Sequence, residues 1–534
     1  MDSLQQLLDA SLGQLKSRCT TDGVFDGRLL DNHQQVCYDL ALCVAELHAA
    51  RAMADYSEQL GDNALAQSVA QAFIGEVRQT ILARLLTRSA ELALPATALK
   101  AAIESSLANN DSVVRLEAIG VALQEQAITE LPALLDDDKE MVRQTFARFA
   151  EQIVMPLAED IHRHDTDIPE VIIQKAAALG CFGTCIPQRF GGLQPDDQPD
   201  SLGMIVVTEQ LSRGSLGAAG SLITRPEIAA RALLSGGTEQ QQQQWLPKLA
   251  AGELLCAIAI TEPDTGSDVA AVSLRATPAT DGWLLNGSKT WCTFAGRSEL
   301  LVVLARTNSD KSLGHRGLSL FVLEKPAFPG HHFEHVQLGG GVLTGNAIAT
   351  LGYRGMHSYD LFFNDYFVPA GNLVGGKEGE GRGFYYTMAG FAGGRIQTAA
   401  RAIGVMQAAY EQALTYAQQR KTFGKALGEN QLIRNKLARM LATLTACRQF
   451  SYAVARLLDN GAGQMEASLV KLFTCRAAEW ITREAMQIHG GMGYAEESAV
   501  SRYFVDARVL SIFEGSEEVL ALKVIARSLV ENAQ

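Results

Sequence analysis

Hydrophobic positions along this chain follow a helical period at both ends and a shorter, strand-like period in the middle. From Gln35 to Tyr56, Leu40, Val44, Leu47 and Ala54 recur at helical spacing. Gly61-Asp62-Asn63 breaks the pattern, and a second helix is expected over 66–86. Pro95 and the Asn-Asn-Asp run at 109–111 are further breaks. The acidic run DDDKE at 136–140 opens another helix, because carboxylates favour a helix N-terminus. Helical pattern continues to about 179, and again over about 201–250. The glutamine run near 240 reads as a solvated helix start after Gly236-Gly237. From about 255 the runs shorten to LLCAIAI, GWLLNGSKTW, ELLVVLART, LSLFVLEK and DLFFNDYFVP, punctuated by Gly, Asn and Asp. Helical pattern returns from about 383. The order predicts a mainly α protein with a central β-domain, divided as a helical extension 1–135, a helical domain 136–254, a β-domain 255–372 and a helical bundle 373–534.

Composition narrows this only a little. The chain has 534 residues and a formal charge of −13, which makes it a poor general partner for nucleic acid or anionic membrane. Its nine cysteines form no framework or zinc-like spacing, so reduced thiols are expected and no metal site is predicted. The N-terminus lacks a signal-peptide pattern, and no apolar run approaches the ~20 residues of a membrane span. A cytoplasmic location is the expectation.

One internal echo stands out. AELHAAR at 45–51 resembles ATLTACR at 442–448, and each is followed by a break, then by Ser68 and Phe73 or by Ser468 and Phe473. Chance between two Ala- and Leu-rich helix pairs explains this, and so does a degenerate copy of part of the C-terminal bundle.

Five segments carry candidate chemistry. In ITEPDTGSD (260–268), Pro263 and Gly266 favour a turn that exposes N–H groups, able to hold a polar ring edge or a phosphate. In NGSKTWCTFAG (286–296), Asn286-Gly287 suits a tight hairpin turn. Trp291 and Thr293, two apart, would share a strand face and suit a planar heterocycle. In RKTFGKALGENQ (420–431), Arg420 could clamp a pyrophosphate or simply end a helix. QIHGGMGY (487–494) is a glycine-rich helix end, and His489 there reads as structural. IFEGSEEVL (512–520) places Glu514 before Gly515-Ser516 at the start of the last helix, one acidic residue among 59.

Taken in order, these segments resemble the acyl-CoA dehydrogenase family over about residues 136–534. The resemblance implies an α-helical domain, a β-barrel-like domain and a C-terminal four-helix bundle. It implies bound FAD, an acyl-CoA substrate and electron transfer to an electron-transfer flavoprotein. Ile258, Ile260 and Thr261 match positions packing on the flavin. Ser267 matches one near the FAD phosphate and the CoA arm. Trp291 and Thr293 match residues covering the ring and hydrogen-bonding near its N5. Arg420, Phe423 and Gln431 match positions reaching a neighbouring subunit's FAD, which implies a homo-oligomer, with a dimer favoured. Gln487, Gly490 and Gly491 match the adenosine end of that site, and Ser516 and Glu518 match further FAD contacts.

Glu514 matches the base that removes the α-proton, and burial beside an apolar ligand should raise its pKa. Its backbone N–H, with Gly515 beside it, would face the thioester. Arg395 matches a substrate-site arginine. The alternative base of some relatives would stand at Gly394, and an Asp usual near the pantetheine is Ala392 here. Arg225 falls in a region that lines the acyl pocket of relatives, with Arg213 and Arg231 nearby. A cation there suits a distal carboxylate; a surface or salt-bridge role is the alternative. The extension, with 308–326 and 351–369, resembles members acting on a short branched dicarboxylic acyl-CoA. A dehydrogenase of another short-chain or dicarboxylic acyl-CoA, an oxidase, or a DNA-associated member without dehydrogenase activity, is the rival reading.

Overall fold

The structure is a computed structural model, and it describes residues 1–108 and 111–533. Asn109 and Asn110 of the expected break at 109–111 lie outside the described residues. The chain forms two compact units, residues 1–136 with 398–534 and residues 137–397.

The unit 137–397 joins helices to a single eight-stranded sheet. Asp137–Phe149 begins where the acidic run predicts, with Asp137, Asp138 and Glu140 in its first turn. Thr238 and Gln241 form a capping box at the start of Glu239–Ala250. The glutamine run is only partly solvated. Gln241 is buried, and its amide donates to the carbonyls of Gly371 and Leu373 while accepting from the Gly375 N–H. A buried amide needs such partners, and three loop groups supply them.

The strands run Cys256–Ala259, Arg275–Ala279, Gly282–Thr293, Leu300–Arg306, Leu318–Glu324, His332–Val336, Val342–Ala347 and Ser358–Pro369. The long strands Gly282–Thr293 and Ser358–Pro369 pair antiparallel through two register shifts. Asn286-Gly287 forms no hairpin turn. It lies inside the first of these strands, at a bulge opposite Asn364 and Asp365. The Asn286 amide donates to Asp365 Oδ1 and accepts the Asp365 N–H, and Gly287 takes φ +135°. The backbone freedom that suits a turn serves a bulge equally well, and the neighbouring strand decided between them.

The other unit has an internal repeat. Asp2–Arg18 leads to a hairpin, Thr20–Thr21 with Val24–Phe25, then to long helices Gln34–Gln59 and Ala64–Thr87 and shorter ones Ala96–Ala108 and Ser112–Gln126. Gly394–Gln419 leads likewise to a hairpin, Lys421–Thr422 with Lys425–Ala426. Long helices Gln431–Asp459 and Gln464–His489 follow, then Ala499–Leu510 and a last helical stretch, 517–531. Both hairpin turns put their two central residues at positive φ: Asp22 and Gly23 in one, Phe423 and Gly424 in the other.

The halves pack together. Gln34–Gln59 lies on both Gln431–Asp459 and Gln464–His489, and Gln431–Asp459 also lies on Ala64–Thr87. The echoed Phe73 and Phe473 meet edge-on with ring centroids 6.1 Å apart. A second copy of the helix pattern thus packs against the first, and the echo belongs to a whole repeated set of elements.

Gly120 lets Ser112–Gln126 approach Gln431–Asp459 closely: a Cβ there would stand 2.5 Å from Arg434 Cβ. Gly120→Ala is expected to cost about 1–3 kcal/mol through overpacking. A lowered urea midpoint with unchanged steepness is the check.

Candidate active site

In the unit 137–397, Cys256–Ala259 delivers the chain into the turn of the first motif. Glu262 and Thr265 exchange backbone hydrogen bonds of 2.9 and 3.0 Å around Pro263-Asp264. The turn is anchored from beneath by residues that local sequence did not single out. Lys289 is fully buried, and its Nζ donates to Ile260 O and to Glu262 Oε1, each at 2.8 Å. Glu262 also accepts from the Ser273 and Leu274 N–H groups. Burial alone would raise the Glu262 carboxyl, but Lys289 and these donors outweigh it and hold the carboxyl below its ordinary value. A buried pair with every polar atom satisfied fixes one geometry for the turn. Ile260 is buried, Ile258 and Thr261 are half-buried, and Ser267 is exposed.

The Thr290 N–H donates to Thr261 O at 2.9 Å and so brings the second motif beside the first. Trp291 and Thr293 do not follow simple alternation. Thr290 and Trp291 together oppose Asp360 in a bulge, and Trp291 has φ +58°. The indole is 56% exposed whereas Thr293 is buried, its Oγ1 sharing a 2.8 Å hydrogen bond with Ser358 Oγ. A broad apolar face left open beside a fixed polar turn suits a planar ring.

Arg225 is 8% exposed, on helix Thr224–Gly236. Its Nη1 donates to Tyr353 Oη at 3.1 Å and to Ser221 O at 3.4 Å. Among the described residues it has no carboxylate partner. Its neighbours differ: Arg213 pairs with Glu151, and Arg231 with Glu227, each at 2.8 Å. Burial pulls the Arg395 guanidinium below its ordinary range.

In the other unit Glu514 stands at φ +54°, a conformation uncommon for a residue with a side chain. Lys471, itself buried, donates to the carbonyls on both sides of it, Phe513 O at 2.9 Å and Gly515 O. The Glu514 carboxylate, with its side chain 10% exposed, accepts from Thr398 Oγ1 at 2.6 Å and from Arg401 Nη2 at 2.7 Å. Arg401 is fully buried and lies over the Phe513 ring at 4.6 Å. A buried cation therefore stands beside this carboxylate.

Lys471, Arg401 and Thr398 were not foreseen. Only the i, i+3 spacing of the last two, on one helix face, was there to be read.

Arg420, Phe423 and Gln431 are exposed around the second hairpin, and Phe423 projects fully into solvent. Gln487, Gly490 and Gly491 are exposed at the adjacent helix end. His489 stacks on Tyr416 at 4.3 Å, one turn before Arg420, and its Nδ1 lies 2.8 Å from Ala485 O. This is the structural role expected of it. Ser516 and Glu518 flank the start of the last helix. All nine cysteines are buried and free. Among the described residues, no helix is long and apolar enough to cross a membrane.

Sequence comparisons agree with this arrangement. Three family models match in order: the acyl-CoA dehydrogenase N-terminal domain over 136–253, the middle domain over 257–366 and the C-terminal domain over 381–530. The chain belongs to the acyl-CoA dehydrogenase family, FAD-dependent oxidoreductases that act on CH–CH donors. It is 39% identical to a (2S)-methylsuccinyl-CoA dehydrogenase of Cereibacter sphaeroides, over 99% of this chain and 97% of that one. Butyryl-CoA dehydrogenase from Megasphaera elsdenii superposes with a TM-score of 0.66 at 31% identity, over 72% of this chain and 96% of that one. A glutaryl-CoA dehydrogenase from Mycobacterium smegmatis in complex with FADH2 gives 0.66 at 25% identity, over 75% and 96%.

Proposed function

We propose that the chain dehydrogenates a short branched dicarboxylic acyl-CoA, converting (2S)-methylsuccinyl-CoA to mesaconyl-CoA, as in the ethylmalonyl-CoA pathway of acetate assimilation. The observation that carries the dicarboxylate is Arg225, a buried guanidinium with no carboxylate partner among the described residues. A substrate carboxylate would supply the missing charge and accept in a bidentate way. The similarity to a methylsuccinyl-CoA dehydrogenase along nearly the whole chain, extension included, supports the same reading.

Glu514 takes the α-proton in this reading. Arg401 and Thr398 hold its carboxylate in one rotamer, and the Lys471 clamp fixes the backbone turn that presents it. The Glu514 N–H, with Gly515 beside it, faces the thioester oxygen, whose negative charge develops as the proton leaves. Arg395 serves the substrate site. Bound FAD would supply the acceptor for a hydride from the β-carbon.

Ile258, Ile260, Thr261, Ser267, Trp291 and Thr293 hold the flavin and the CoA arm. Arg420, Phe423, Gln431, Gln487, Gly490, Gly491, Ser516 and Glu518 serve its phosphate and adenosine end. The exposure of Arg420 and Phe423 at the hairpin, and of Gln487, Gly490 and Gly491 at the helix end, suits contact with a second copy. The electrons pass to an electron-transfer flavoprotein, and the protein works in the cytoplasm as a dimer, because the N-terminal repeat covers the bundle. A tetramer by light scattering would count against that assembly.

The central experiment is anaerobic flavin bleaching with methylsuccinyl-CoA, succinyl-CoA and butyryl-CoA side by side. Fast bleaching by methylsuccinyl-CoA is expected. Preference for butyryl-CoA would refute the dicarboxylate, and bleaching by none of the three would refute the dehydrogenase. Oxygen uptake without an acceptor would mark an oxidase.

A further inference from the structure

Three segments distant in sequence meet at a cluster that this chemistry leaves unused. Asp165 closes helix Met155–His164 in the left-handed conformation, φ +51°. His331 lies just before strand His332–Val336, and His357 just before strand Ser358–Pro369. One donor atom from each side chain lies within 4.8 Å of the other two. His357 Nδ1 is 3.7 Å from Asp165 Oδ1, and His331 Nε2 is 3.8 Å from Asp165 Oδ2. The two imidazoles stand edge to face, with centroids 4.4 Å apart.

His357 is only 6% exposed, and its Nε2 makes no well-aligned hydrogen bond. Asp167 Oδ1 stands 3.2 Å away but out of line, and the other Asp167 oxygen accepts the Gly330 N–H at 2.6 Å. That nitrogen would be satisfied by a proton fixed on it and turned toward Asp167, which is what an ion held on Nδ1 would bring about.

We infer that Asp165, His331 and His357 form a site for a divalent transition cation of the zinc type. Two imidazoles and one carboxylate are a donor set such ions take with an open fourth position. Bonds of about 2.0–2.1 Å require tetrahedral donors to stand about 3.4 Å apart, so the side chains draw in by roughly 1 Å. Metal on His357 Nδ1 fixes the proton on Nε2, turned toward Asp167. That is the carboxylate–histidine–metal relay that orients a ligand ring. The ion must also replace the 2.9 Å hydrogen bond between His331 Nε2 and the Asp165 carbonyl, and the weak attraction of Arg354, whose Nε is 3.8 Å from Asp165 Oδ1.

The site would act on the segment that leads into it. Tyr353, four residues before His357, accepts the hydrogen bond of Arg225. The Phe294 N–H donates to the carbonyls of Met356 and His357, at 3.0 and 2.8 Å, and Ser358 holds Thr293. A bound ion would stiffen the stretch 353–358 from which both Arg225 and Thr293 take a partner. That effect on the reaction rests on the function proposed above; the ion binding does not.

The test is isothermal titration of chelator-treated, FAD-loaded protein with Zn2+, with Mg2+ run in parallel. One Zn2+ per chain and no Mg2+ binding are expected. His331→Ala, at an exposed position that leaves the core intact, should lose the Zn2+ heat. Asp167→Asn should weaken binding about 10–100-fold through the relay. Wild-type protein without a binding heat, a His331→Ala variant that binds equally well, or Mg2+ binding as tight as Zn2+ overturns the assignment. All three readouts are independent of turnover, so a wrong substrate assignment cannot mimic them.

Discussion

Glu514→Gln is expected to abolish flavin bleaching by acyl-CoA while FAD stays bound. General-base catalysis of this kind contributes about 10²–10⁴-fold, and an amide cannot take the proton. The amide can still accept from Thr398 and Arg401, so the turn held by Lys471 should survive. It does remove the countercharge of a fully buried arginine, and breaking such a pair costs about 3–5 kcal/mol. Thermal unfolding should therefore be measured beside the rate. Glu514→Asp separates the two effects: it keeps the charge for Arg401 but withdraws the carboxylate by one methylene. It should fold like the parent and still lose most of its activity. A fully active Gln variant would place the base elsewhere, and Gly394 leaves none at the family's alternative position.

Arg225→Met should divide the substrates. Truncating one partner of a buried, hydrogen-bonded charge pair costs about 2–5 kcal/mol. For methylsuccinyl-CoA that is a loss of kcat/KM on the order of 10²–10³-fold. Butyryl-CoA has no carboxylate to lose and should react as well or better, since a desolvated cation is removed from the pocket. Tyr353→Phe removes only the hydroxyl that accepts from Arg225, so a smaller loss confined to dicarboxylic substrates is expected. Equal losses on methylsuccinyl-CoA and butyryl-CoA would show that Arg225 supports the fold and binds no carboxylate.

Arg225 also shows how far sequence could go. Arg225 was the candidate in the chain, with Arg213 and Arg231 nearby, and a salt-bridge role was open to it. Only the fold shows that two sit 2.8 Å from glutamates while the third is buried against a tyrosine hydroxyl. Asn286-Gly287 makes the same point about backbone. Its preference for positive φ was legible, but a turn and a bulge use that preference alike, and only the pairing with Ser358–Pro369 selects the bulge.

The helix, helix, sheet, helix order was determined by the sequence itself, because a period near 3.6 or 2 decides which faces can be buried before any partner is known. So was the family, through the order of five short segments. What only tertiary structure decided were the contacts between distant segments. Lys289 under the Glu262 turn, Lys471 and Arg401 around Glu514, and Asp165 with His331 and His357 each join residues that no local pattern links. A buried charge is tolerable only where another segment brings its partner, and local sequence carries no record of which segment that will be.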